Sequence, residues 1–120
     1  IGYAAAGAAG LICPAIARGG ASFPLATLAY PHLLDVLRDR RVVRDLGRRY
    51  RAIVPAEDDP HSLAEAILAE APATVPAALR ERVHEQVLRD FAGGRTVTLH
   101  GWILSVTEAR QCALYSLLPV

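Results

Sequence analysis

The sequence predicts a mainly α protein: an apolar N-terminal anchor helix, a linker, then a small bundle of about four to five helices with a short extended arm before the last. Three observations predict it. Residues 1–17 carry no charged side chain. Between residues 32 and 92, apolar residues recur at spacings of three and four, inside segments bounded by Pro and Gly, which is the period of one helix face. Residues 96–99 alternate polar and apolar, the period of a strand.

The first segment, IGYAAAGAAGLICPAIA, has the length of a signal-peptide apolar region or a short membrane span. Hydrophobic residues make up 52% of the chain, above the usual share for a globular domain, and the excess is concentrated here. The segment is rich in Ala and Gly and closes on Ala15-Ile16-Ala17, a small-x-small pattern. It resembles the apolar region of a twin-arginine (Tat) export signal, with the arginines expected ahead of Ile1. We expect it to be retained as a membrane-anchor helix, since a helix satisfies its own backbone in lipid. Ala4, Gly7, Ala8 and Leu11 would let a neighbouring helix approach closely. Lipidation of Cys13 is excluded, because Ile12 stands where lipid attachment needs a small residue. The expected division is an anchor over 1–17, a linker over 18–31 and a helical domain over 32–120.

Gly19, Gly20, Pro24 and Pro31 punctuate the linker, which reads as extended and hugging a surface through Phe23, Leu25, Leu28 and Tyr30. A short helix over 32–38 follows. Asp39 is placed to cap a helix ending before Pro55, with Val43, Leu46, Tyr50 and Ile53 on its apolar face. Asp59-Pro60 is a helix start, and that helix buries Leu63, Ile67 and Leu68 until Pro72 breaks it. Pro76 opens the next, with a stripe of Leu79, Val83, Val87 and Phe91 ended by Gly93-Gly94. After the strand-like 96–99, His100-Gly101 is a turn and Trp102, Ile103 and Leu104 form an apolar extended run. Three apolar residues in succession predict an arm buried on both faces, as when it lies between its own helices and a partner. Ser105 and Glu108 have the spacing of a capping box, so a last helix begins at Thr107, burying Ala109, Cys112, Ala113 and Leu117 until Pro119.

Charge and motif content narrow the function. The net charge is +1, so no overall field draws nucleic acid, and none is expected as a partner. The two cysteines, Cys13 and Cys112, are not expected to pair, and no zinc or haem spacing is present. His32, His61, His84 and His100 fall on different elements, without the helical spacing of a metal site. Glu57, Asp58 and Asp59 precede a helix start, where the helix dipole accounts for them. No nucleophile elbow, phosphate loop or dinucleotide fingerprint occurs. No catalytic residue, metal or cofactor is therefore assigned.

Candidate binding residues fall in two places. Arg41, Arg44, Arg48 and Arg51 share a helix face opposite Val43, Leu46, Tyr50 and Ile53, which is a solvated face or one that meets anionic head groups or an acidic partner. Trp102, Ile103 and Leu104 have the composition of an interface anchor; alternatively, Trp102 plugs this domain's own core.

The run GRTVTLHGWILSVTEARQCAL carries a resemblance. It is similar to the ending, roughly GRxVxxxGWxLSxTEARxCAL, of a set of small bacterial proteins with Tat-type N-termini. Gly94, Arg95, Val97, Gly101, Trp102, Leu104, Ser105, Thr107, Glu108, Ala109, Arg110 and Cys112, Ala113 and Leu114 match it, over the last quarter of the chain. The resemblance implies an exported accessory protein of a membrane redox assembly and no catalytic residues. The expected function is thus a non-catalytic subunit of a membrane-bound electron-transfer complex, respiratory or photosynthetic. It would sit at the bacterial inner membrane with its main domain in the periplasm, its partners being larger subunits and the bilayer through residues 1–17. The competing readings are an exported enzyme or metal- or cofactor-binding protein built on His84, His100 and Cys112, and a chaperone-like export accessory with a hydrophobic groove.

Overall fold

Three of the helices begin where a side chain satisfies their free amides. The computed structural model describes residues 25–72 and 76–118; the expected anchor and the first half of the expected linker lie outside them. In chain order the elements are α1 (Leu25–Leu28), α2 (His32–Leu37), α3 (Arg40–Ile53), a 3-10 turn (Pro55–Glu57), α4 (Pro60–Glu70), a second 3-10 turn (Pro76–Ala78), α5 (Leu79–Ala92), β1 (Thr96–Leu99), β2 (Trp102–Ser105) and α6 (Val106–Leu117). Asp39 caps α3 by accepting from the amides of Arg41 and Val42 at 3.0 and 3.4 Å. Asp59 caps α4 through the Ser62 amide at 2.9 Å, with Pro60 in the first turn. At α6, Ser105 Oγ accepts from the Glu108 amide and Glu108 Oε1 accepts from the Ser105 amide. The capping box forms as its spacing predicts.

Helix α6 is the centre of the bundle, packed by α3, α4, α5 and both strands. Its residues Thr107, Glu108, Ala109, Gln111, Cys112, Ala113 and Leu114 are all buried, so it is covered nearly all round, beyond the single apolar side expected. Small side chains make this possible. At the crossing of α3 and α6, a Cβ built on Gly47 would overlap the Cys112 carbonyl and lie 2.9 Å from Ala113 Cα. Val43, Leu46 and Tyr50 of α3 are buried beside it, as are Leu63 and Ile67 of α4 and Leu79, Val83 and Val87 of α5.

Several expectations change. Residues 25–28 are helical, and Leu28 and Ala29 are fully buried. The domain therefore includes part of what read as an extended linker, because Leu28 carries enough apolar surface to dock. Helix α2 stops at Leu37, since Arg38 takes the left-handed conformation (φ 55°) that ends it. Ile53 and Phe91, at the last turns of α3 and α5, are exposed; each helix outruns the neighbour that covers its earlier stripe. The extended arm is a two-stranded antiparallel hairpin, pairing Leu99 with Trp102 and Val97 with Leu104. Within this chain it buries one face, with Leu104 2% exposed, and leaves Ile103 64% exposed on the other, the side expected to meet a partner. A two-residue turn gives the strand period of two, so the apolar run is split between faces. Among the described residues, no helix is long and apolar enough to cross a membrane.

Candidate functional site

The hairpin is held rigidly at its base and projects apolar side chains at its tip. Its turn residues, His100 and Gly101, have φ of 51° and 86°, the two left-handed positions of a type I′ turn, whose twist suits two paired strands. Leu99 and Leu104 enter the core, whereas Trp102 is 38% exposed. Trp102 is therefore neither a full core plug nor a free side chain; it lies at the border, with Ile103 outside.

Asp90 fixes the base. It is fully buried, and its carboxylate accepts from Gln86 Nε2 at 2.8 Å, the Thr107 amide at 2.9 Å and Arg95 Nη1 at 3.2 Å. Its own carbonyl accepts from the Arg95 amide at 2.8 Å. One residue thus ties the end of α5 to the start of β1 and the start of α6. Thr107 Oγ1, buried beside it, meets the bonding geometry of no partner among the described residues. Burial pushes the Asp90 carboxyl up, but Thr107, Gln86 and Arg95 together outweigh it and hold the carboxyl below its ordinary range.

From Arg95 the network continues outward. Arg95 Nη2 lies 2.9 Å from Glu70 Oε2. Arg110 Nη1 reaches Glu70 at 3.2 Å, and its Nε and Nη2 clasp Glu57 at 2.9 and 3.2 Å. Tyr50 donates its hydroxyl to Glu57 at 2.8 Å. Burial and that bond to Glu57 push the Tyr50 phenol up to about 12. Glu57 feels burial raising its carboxyl, and Arg110 and Tyr50 more than reverse it. The helix dipole is therefore a minor explanation for Glu57, which belongs to an internal ion network; Asp58 pairs with Arg51 instead. Sequence reasoning missed this network, because Glu70, Asp90, Arg95 and Arg110 are separated in the chain. The motif that carries Arg95, Thr107 and Arg110 was its only trace.

A pH dependence follows. Asp90 and Glu57 are both depressed in the folded state, so they bind fewer protons than in the unfolded chain. Their contribution is fully present above the unfolded carboxyl values of about 4 and is lost as pH falls through the lower folded values. Thermal melts followed by circular dichroism should hold steady at neutral pH and drop in midpoint below about pH 4. A midpoint that rises on acidification would contradict the assignment.

The arginine face divides. Arg44 Nη1 donates to the carbonyls of Tyr115 and Leu118 at 3.2 and 3.1 Å, with its guanidinium over the Tyr115 ring. It caps the end of α6. Arg51 pairs with Asp58 at 2.6 Å and donates to Ser116 Oγ. Arg41, whose side chain is 95% exposed, and Arg48 face solvent. Arg49, on their flank, holds Asp45 at 2.8 Å. Asp45 is depressed first by that bond, and β1 packs against α3, so the hairpin stands beside α3.

The other candidates do not converge. Cys112 is buried against Gly47, and burial pushes its thiol up to about 12, which leaves no thiolate for chemistry at neutral pH. His84 borders a half-open groove of about 260 Å³ with Tyr30, Arg80, Val83 and Gln111, a mixed lining unlike a hydrophobic cleft. Among the described residues no group of three His, Cys, Asp or Glu could hold a metal ion. No family model, characterised protein or solved structure matches this chain.

Proposed function

We propose that this chain is a non-catalytic accessory subunit of a membrane-bound electron-transfer complex, docked on a larger subunit through its hairpin at the periplasmic face of a bacterial inner membrane. The observation that carries the reading is the contrast within four residues of β2. Ser105 and Leu104 are locked into the core, while Ile103 and much of Trp102 are presented to solvent on a scaffold fixed by Asp90. A rigid element that displays a Trp and an Ile is the make-up of an interface anchor, since little ordering entropy is lost on docking. The resemblance of the C-terminal run supports the exported, redox-linked setting.

The test is isolation of the tagged chain in mild detergent from membranes of the cell that makes it. The 12.8 kDa chain should elute with larger subunits whose visible absorbance reports a redox cofactor. Ile103→Ser should abolish that co-elution and shift stability by less than about 0.5 kcal/mol, as an exposed site does. Trp102→Ala should also break the complex, and should cost the free chain about 2 kcal/mol because its ring is partly buried. A chain that elutes alone from wild-type membranes, or an Ile103 variant that keeps its partners, overturns the proposal.

A further inference from the structure

The charge of this protein is lopsided in a way that its total conceals. Six of the thirteen basic residues lie on α3 against one acid, Asp45, so the remainder of the chain holds more acids than bases. Arg44 and Arg51 turn toward α6. Arg41, Arg48 and Arg49 remain outward, with the hairpin beside α3.

We infer that the outer face of α3 lies against the anionic head-group layer of a membrane. This rests on the membrane setting of the proposed function, and it adds an orientation: α3 along the lipid surface, the hairpin turned to the larger subunit. One feature favours lipid over an acidic protein. Arg110, the arginine that clasps a carboxylate between two of its nitrogens at Glu57, is part-buried and fixed in place. Arg41 and Arg48 are held in no such geometry: Arg41 is 4.0 Å from Asp39, and Arg48 bonds to nothing among the described residues. Loosely held cations on a convex helix suit a fluid layer of phosphates, where fixed forks give no advantage.

The experiment uses the full chain with phosphatidylcholine vesicles, with and without phosphatidylglycerol, in a flotation assay. Residues 1–17, being uncharged, contribute equally to both vesicle types, so the excess on anionic vesicles reports the arginine face. Each arginine near an anionic surface is worth about fivefold in partitioning, so Arg41→Gln with Arg48→Gln should remove about 25-fold of that excess. The excess of the wild type should vanish in molar salt, where screening shortens to about 3 Å. Both variants' side chains are exposed, and an unchanged melt would confirm that folding is intact. Equal wild-type partitioning onto the two vesicle types, or a double variant that keeps the excess, overturns the inference. If the double variant instead loses its protein partners while vesicles never discriminate, the face meets an acidic subunit, and the lipid assignment fails while the hairpin reading stands. Ile103→Ser, conversely, should lose the protein partners and keep the anionic excess.

Discussion

Asp90→Ala is expected to remove about 3–5 kcal/mol of stability, a large share of the 5–15 kcal/mol that typically holds a small domain together. The side chain is fully buried and accepts three bonds. Without it the Thr107 amide and the Gln86 amide group are stranded in the interior, and each stranded polar group costs about 1–3 kcal/mol. Arg95 suffers less, because Glu70 still holds it at 2.9 Å. Asp90→Asn should cost about half as much, since an amide oxygen can still accept from Thr107 while its NH2 faces another donor. The Asn variant should also have a flatter stability profile below about pH 4, having lost one depressed carboxyl. Urea titration of the three proteins measures all of this. An Ala variant within about 1 kcal/mol of wild type would mean that the hairpin base is held by the backbone bonds alone.

That residue shows where the sequence was readable and where it was not. Local signals were legible: Asp39, Asp59 and Ser105 all cap the helices they precede, because a cap depends on neighbours within three residues. The strand and turn were legible for the same reason. Asp90 was not, since its importance comes from Thr107, seventeen residues later, and from burial that no period reveals. The arginine face was half legible. Helical spacing places Arg41, Arg44, Arg48 and Arg51 on one arc, but only the end of α6, folded back beside α3, decides that Arg44 and Arg51 turn inward. The Trp102 arm read as buried on two faces because three apolar residues in a row carry no phase. The turn at Gly101 sets that phase and puts Ile103 outside. The motif residues that carry the resemblance largely build the hairpin and its anchorage; Trp102 is its one large apolar member that also reaches solvent.

Gly47→Ala should be the most disruptive single methyl group added to this chain. On an isolated helix the change would stabilise by about 1 kcal/mol, because alanine loses less conformational freedom. Here the added Cβ would overlap the Cys112 carbonyl and sit 2.9 Å from Ala113 Cα. Both neighbours are backbone of α6, so no rotamer change can relieve the clash, and the two helices must separate. Separation loosens the contacts of Val43, Leu46 and Tyr50, all buried at this crossing, and draws Arg44 away from the α6 carbonyls it caps. Overpacking a close-packed interior costs about 1–3 kcal/mol and more where backbone must move. We therefore expect a net loss of about 2–4 kcal/mol after the helix-propensity gain is subtracted. Arg48→Ala, the exposed next residue of the same helix, is the control and should stay within about 0.5 kcal/mol of wild type. If Gly47→Ala melts at or above the wild-type temperature, propensity has won, and α3 and α6 do not cross as closely as the Gly47 contact requires.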